Sequence, residues 1–312
     1  MPNTVKARPA KKTRSRRTSF QHVPADADRD YVQKLSTDQD EPHLKVRALP
    51  DTRENESADT EACYVYGVAS GAPPASFGKT GIGGQVTEVF TIRYQGLLAV
   101  VSRVKTSILD ATRENALAHE HVVERVMNTH TIIPMSFGTI FRSEDDIGQV
   151  LKSIYASLKD VLEKMEGKIE FGLKVNWDRD KAVAKLKREN QEIRTFTSEL
   201  AKKRLQSTYF ARMQLGRMIE QALAERATQI VQDIYERLRP VCVASRDSRP
   251  IGDRMIMNAA FLLERKKEAE FDAIVNQISS KFKDLLTFRY SGPWPPYNFV
   301  NIRLKLERAE AT

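Results

Sequence analysis

Cysteine is scarce in this sequence: only Cys63 and Cys242 occur among 312 residues. Neither stands in a Cys-x-x-Cys or Cys/His zinc spacing, which excludes a secreted disulfide framework and points to a reducing cytoplasm. Long apolar runs are missing too, since no stretch approaches the roughly 20 residues that span a bilayer. The basic N-terminus is not followed by an apolar segment, so no secretory signal is expected. Acidic residues are absent before Asp26, whereas Lys6, Arg8, Lys11, Lys12, Arg14, Arg16 and Arg17 all precede it. Taking those seven from the 50 Lys and Arg leaves 43 basic against 41 acidic residues, so the net charge of +9 belongs to the leader. The body has no general pull towards polyanions.

What is present suits a globular protein of two domains behind that leader. Residues 1–60 hold too few apolar side chains to offset the entropy of ordering, and are expected to form a disordered basic leader. Its basic block serves either as a solvated tail or as an attachment to an anionic surface or partner. Residues 61–166 are expected to form an N-terminal α+β domain. It opens with a β-run from Cys63 to Ala69, followed by a hairpin of 86–94 and 97–104 about Gln95-Gly96. A helix over 113–128 and a β-like stretch over 131–141 follow. Ser143-Glu-Asp-Asp146 resembles a capping box and starts a helix that Gly167 ends.

Residues 167–312 are expected to form a second domain. In 168–177, Ile169, Phe171, Leu173, Val175 and Trp177 alternate with Lys168, Glu170, Gly172, Lys174 and Asn176, predicting a strand with one buried and one wet face. A charge-dense helical extension spans 178–239, with a break near Gln206–Ser207 predicted to fold it into an antiparallel hairpin. Its apolar stripe either packs the hairpin on itself or offers apolar contact to a partner. Strands over 241–245, 255–263 and 285–290 and a helix over 266–281 complete a β–α–β–β–α–β order. The fold class is therefore α+β, an N-terminal α+β domain plus a ferredoxin-like domain with a multi-helix extension.

The motifs that suggest chemistry fail on spacing. Gly78-Lys79-Thr80 lacks the glycine that a phosphate loop needs at position 73, which is Pro73, and a β-branched strand rather than a helix follows. His119-Glu120-His121 is not His-Glu-x-x-His, because position 123 is Val; on a helix the two rings point about 200° apart. His119 falls on the apolar stripe with Val122, Val123, Val126 and Met127, the place of a hydrogen-bonded core histidine. No nucleophile elbow or Cys–His pair is visible. No catalytic, cofactor or metal residue is predicted, and the chain is not expected to be an enzyme.

The stretch Tyr290-Ser-Gly-Pro-Trp-Pro-Pro-Tyr-Asn-Phe299 stiffens several large rings with three prolines. Tyr290, Gly292, Pro293, Trp294, Pro296, Tyr297 and Phe299 are candidates for a C-terminal aromatic tail over 290–305. Such a tail either docks on the protein's own body or presents a patch to a partner.

Taken together, Tyr64-Val-Tyr-Gly67, Gly81-Ile-Gly-Gly84, Ala118-His-Glu120, Ile133-Pro-Met-Ser-Phe-Gly-Thr-Ile-Phe141 and Tyr290-Ser-Gly-Pro-Trp-Pro-Pro-Tyr297 resemble the gas vesicle protein F/L family over roughly residues 62–305. The resemblance implies a cytoplasmic assembly protein associated with gas vesicles. It would bind the small apolar shell subunit and other accessory proteins, limit shell-subunit aggregation and possess no cofactor. By the same resemblance His119 and Glu120 shape the first domain's helix, and Pro134, Phe137 and Gly138 its end. The segment holding Gly292, Pro293, Trp294 and Pro296 packs between domains. Ser136 stands where the family shows a basic residue. The competing class is an RNA-binding protein with a basic tail on a βαββαβ domain. Its stacking motif is missing from 254–264, where Phe261 is the single aromatic, so nucleic acid is not an expected partner.

Overall fold

The computed structural model describes residues 61–72, 77–79, 82, 87–105, 108–202 and 209–300. The leader, Gly81, Gly83 and Gly84, the Gln206–Ser207 break and residues 301–305 of the tail lie outside the described residues.

Two antiparallel sheets, each carrying helices, give a mixed α+β fold. In the first sheet β1 (Ala62–Ser70) lies centrally, between β3 (Leu97–Val104) on one side and β4 (Ile132–Pro134) on the other. β2 (Val89–Tyr94) forms the far edge beside β3, and the short β5 (Ile140–Phe141) also pairs with β1. The expected β-stretch over 131–141 is thus two short strands joined by an irregular bend. Alternation along β1 sends Tyr64 and Tyr66 to one face and Cys63 and Val65 to the other. The tyrosine face packs on α1 (Arg113–Met127) through Val122, Val123 and Val126. The opposite face packs on α2 (Glu144–Ser153) and α3 (Tyr155–Met165) through Ile147, Leu151, Leu158 and Leu162.

The capping expectation holds: Ser143 Oγ accepts the Asp146 amide at 3.1 Å, satisfying one of the free N–H groups at the start of α2. The single helix expected to run to Gly167 is broken at Ile154, whose φ of −117° and ψ of 20° leave the helical region.

The second sheet has the order β7–β8–β6–β9, from β6 (Lys168–Trp177), β7 (Ala244–Asp247), β8 (Met255–Glu264) and β9 (Leu286–Trp294). All pairings are antiparallel, the arrangement expected of a ferredoxin-like unit. Between β6 and β7 come α4 (Arg179–Glu189), α5 (Gln191–Ala201) and the long α6 (Tyr209–Leu238). Where a two-helix hairpin is predicted, the described residues therefore form three helices. The additional break falls at Asn190, whose extended backbone ends α4 while its side chain accepts the Ile193 amide at 3.0 Å and caps α5. Leu223, Ile230, Ile234 and Leu238 of α6 join Phe271, Val275 and Ile278 of α7 (Glu268–Lys281) over the sheet.

The other face of β6 is drier than the alternation predicts, with Glu170 only 3 % exposed. The reason lies at the C-terminal end of the described chain, where the segment after β9 reaches this carboxylate.

Candidate functional site

Most of the residues singled out from sequence lie in two neighbouring internal structures. The first is built around His119, which α1 carries on its buried face at 1 % exposure. The Gly138 amide donates to Tyr64 Oη at 3.2 Å, and Tyr64 Oη lies 2.8 Å from His119 Nδ1. The phenol oxygen thus links the Gly138 amide to the imidazole, while His119 Nε2 is buried with no hydrogen-bond partner among the described residues. Burial pushes the His119 pKa down to about 4, and a backbone interaction at Met135 opposes this in part. Burial likewise raises Tyr64; the Gly138 hydrogen bond opposes that rise, and Tyr66 and Tyr297 add to it.

Phe137 closes the cluster edge-on, its ring centroid 6.1 Å from Tyr64 and 6.0 Å from His119. Gly138 sits at φ +83°, a conformation that favours glycine and turns its amide to the phenol. Pro134 ends β4 opposite Gly67, and Glu120 is buried on α1. His121 is exposed on the other side of the helix, so the two imidazoles do not share a site.

The second structure is the aromatic–proline segment. β9 continues to Trp294, so Tyr290, Gly292, Pro293 and Trp294 belong to a strand rather than to a tail beginning at 290. Pairing passes the proline because the ladder shifts register between Glu170 and Gly172. Tyr290 faces the helices, stacked on Phe171 at 5.1 Å, and its hydroxyl donates to Asp272 Oδ1 at 2.6 Å. Gly292 has φ +124°, and a Cβ there would stand 2.7 Å from the Phe171 ring and 2.8 Å from the Glu170 carbonyl.

Trp294 pairs with Glu170 in the ladder and donates from Nε1 to Ser291 Oγ at 3.2 Å. The chain then crosses the sheet. The Asn298 amide donates to Glu170 Oε2 at 2.8 Å, the Asn298 side chain binds Oε1, and Arg246 holds the Asn298 carbonyl at 2.7 Å. Pro295 and Pro296 are buried, Tyr297 packs on the core that includes Tyr64, and Phe299 is half-buried. Val300 enters the cluster between the first sheet and α2–α3. Residues 295–300 thus form a strap touching both halves, and the aromatic segment lies against the protein's own body.

A metal or nucleophile site does not emerge from these surroundings. Among the described residues no group of three or more His, Cys, Asp and Glu could hold a metal ion, and no helix is long and apolar enough to cross a membrane. Burial raises both thiols, Cys242 to about 12, so neither offers a thiolate near neutral pH. The sheet face that an RNA-recognition module would use carries Glu170, Gly172 and Lys174 on β6 and Asn258, Ala260 and Leu262 on β8. Neither strand supplies an aromatic there, while Phe261 is buried under the helices.

Besides Ile108, Val243 and Ile251, which are exposed apart from one another in the chain, exposed large apolar side chains group at the start of α6, and the motif search passed over them. Tyr209 is 68 % exposed, Phe210 81 % and Met213 43 %. The two rings meet edge to face at 5.5 Å, and no residue of α6 before Leu223 is buried. Arg212 and Arg217 flank them, and Lys202 ends α5 close by in the chain. The first turns of α6 thus carry an apolar patch with Arg212 and Arg217 beside it. A readable signal existed in Tyr209, Phe210 and Met213 standing within five residues amid charged helix, but sequence does not tell which turns of a long helix leave the body.

A family model described as gas vesicle synthesis protein GvpL/GvpF matches residues 62–301, spanning both sheets, α4–α6 and the strap. The chain belongs to the GvpL/GvpF family. Gas vesicle protein F1 of Halobacterium salinarum is 26 % identical over 254 residues, covering 80 % of this chain and 98 % of its own. Gas vesicle protein F of Nostoc sp. is 28 % identical over 242 residues, covering 77 % and 98 %. The crystal structure of GvpF from Anabaena sp. superposes with a TM-score of 0.68 at 27 % identity, covering 78 % of this chain and 99 % of that one. GvpF from Microcystis aeruginosa gives 0.64 at 25 %, covering 76 % and 98 %. Membership of GvpL/GvpF places the chain among gas vesicle accessory proteins, and these relatives are named as gas vesicle proteins rather than as enzymes. The GvpL/GvpF match begins at residue 62, so the basic leader lies outside it.

Proposed function

We propose that this protein assists gas vesicle assembly by binding the apolar shell subunit and limiting its aggregation, and that the apolar patch in the first turns of α6 makes the contact. The carrying observation is the clustering of Tyr209, Phe210 and Met213 in open solvent. Exposed apolar side chains scattered singly need no explanation, but aromatic rings grouped in the first turns of a helix mark an interaction surface. Tyr and Phe supply large contact area at low entropic cost, which suits an apolar partner.

The strap has a different role in this reading. Tyr297 and Val300 pack on the cores and Asn298 binds the Glu170 carboxylate, so this segment faces the protein's own body rather than a partner. The same geometry favours a chaperone-like protein that acts in association with vesicles and with other accessory proteins, without cofactor or catalysis.

The test is co-expression of the full chain with a gas vesicle shell subunit, followed by pull-down and measurement of the subunit's soluble fraction. The chain is expected to co-purify with the subunit and raise its solubility. A variant carrying Tyr209→Ser, Phe210→Ser and Met213→Ser is expected to lose both effects while remaining folded. Full retention of binding by that variant would move the contact away from this patch.

A further inference from the structure

A cavity of about 210 Å³ opens where the two halves meet, bounded by the C-terminal end of α1, the start of β4, the α3–β6 connection, the turn after β8 and Pro296 of the strap. Its lining is mixed: Met127, Ile132, Met165 and Pro296 are apolar, Lys168, Arg265, Asn128 and Thr131 supply polar groups, and no Asp or Glu lines it.

The two cations have little to hold them. Among the described residues neither Lys168 nor Arg265 has a carboxylate within ion-pair distance, although many other basic side chains of the protein do, including Arg103, Lys164, Lys267 and Lys281. Arg265 reaches only the Met127 carbonyl, at 3.4 Å, and Lys168 the Lys164 carbonyl. Each keeps N–H groups to spare. The nearest acids are otherwise placed: Glu264, across the ladder from Lys168, is paired with Lys266 at 2.6 Å, and Glu166 is exposed. His130 spends both ring nitrogens on its own surroundings, Nε2 on the Ala72 carbonyl at 2.8 Å and Nδ1 on Thr129 Oγ1 at 2.7 Å, so it acts as wall rather than donor.

We infer that this interdomain cavity is a binding site for a carboxylate attached to a small apolar group, as a polypeptide presents at an apolar C-terminal residue. A guanidinium and an ammonium lining one cavity suit a carboxylate, which accepts several charge-assisted hydrogen bonds. Met127, Ile132, Met165 and Pro296 share the lining, and a bare hydrated anion such as phosphate would leave them unused. The volume admits one apolar side chain with its terminal carboxylate, comparable with a leucine residue. The site is distinct from the α6 patch and stands whether or not the shell subunit binds there.

The test uses the full chain with methyl-labelled methionine. Met127 and Met165 report on the cavity by NMR, and Met257, buried under the helices of the second sheet, serves as a control. N-acetyl-leucine is titrated, with N-acetyl-leucinamide and inorganic phosphate as comparison probes. Saturable shifts at Met127 and Met165 with N-acetyl-leucine, and weaker responses to the other two, are expected. Lys168→Gln and Arg265→Gln should each weaken binding by about tenfold or more, the loss of one charge-assisted contact. Each variant's melting temperature is measured without ligand, and Lys168→Gln, whose side chain bonds only the Lys164 carbonyl four residues back, keeps the test valid if Arg265→Gln loosens the fold. An equal response to the uncharged amide, a stronger response to phosphate, or no saturable shift at either methionine overturns the proposal. So does unchanged affinity in Lys168→Gln.

Discussion

Lowering the pH tests the core around His119. In the unfolded chain this imidazole has its ordinary pKa of 6.5, and in the fold burial holds it at about 4. Above pH 6.5 both states carry a neutral ring and its contribution to stability is whole. Between 6.5 and 4 the unfolded chain takes up a proton that the fold refuses, so stability falls; below 4 both states are protonated and the fall levels off. The gap is worth about 3 kcal/mol in full, of which roughly 2.5 kcal/mol is lost between pH 7 and pH 4.5. Carboxylates with lowered pKa, such as Asp178, Asp233 and Glu264, also lose stabilisation as pH falls, but at lower pH and independently of this ring. His119→Gln isolates the effect, since it leaves an acceptor near Tyr64 and removes the titrating group. Urea unfolding at pH 7, 5.5 and 4.5 is expected to show the wild type losing roughly 2 kcal/mol more than the variant over this range. Equal losses in the two proteins would refute the burial argument.

Three further predictions concern β9, the strap and the start of α2. Gly292→Ala places a methyl against the Phe171 ring and the Glu170 carbonyl at a positive φ, and should cost about 2 kcal/mol or more by thermal or urea unfolding. Asn298→Ala removes two hydrogen bonds from the buried Glu170 carboxylate and should cost about 1–3 kcal/mol, with faster amide exchange in 295–300 as the local readout. Ser143→Ala deletes the cap on α2 and should cost about 1 kcal/mol, a loss that Ser143→Asp should largely recover.

Period and capping made much of the fold legible. Alternation in 168–177 placed β6 at its observed ends, because a strand buried on one face writes its period into every second residue. Ser143 and the stripe behind it marked α2, but nothing in Ser153-Ile154-Tyr155 announced the break, which follows from packing against the first sheet. Asn190 was readable as a helix cap, yet a single residue within continuous helical periodicity does not outweigh its neighbours.

The site divides in the same way. His119 was recognisable as a core histidine from its place on an apolar stripe. Its partner Tyr64 lies 55 positions away and depends on the sheet being formed. Glu170 looked solvated because alternation sees one strand and not the strap that later covers it. The α6 patch escaped because exposure along a helix is set by where the body stops, a tertiary fact that periodicity does not carry.

The account's central claim is tested most directly by cross-linking in vesicle-forming cells. Phe210 is replaced by a photoreactive phenylalanine analogue, with Thr228 on the exposed side of the same helix as the control position. Irradiation during assembly is predicted to join the chain to the shell subunit from position 210 and not from 228. Cross-links from 210 to other accessory proteins alone, or none, would contradict shell binding by this patch.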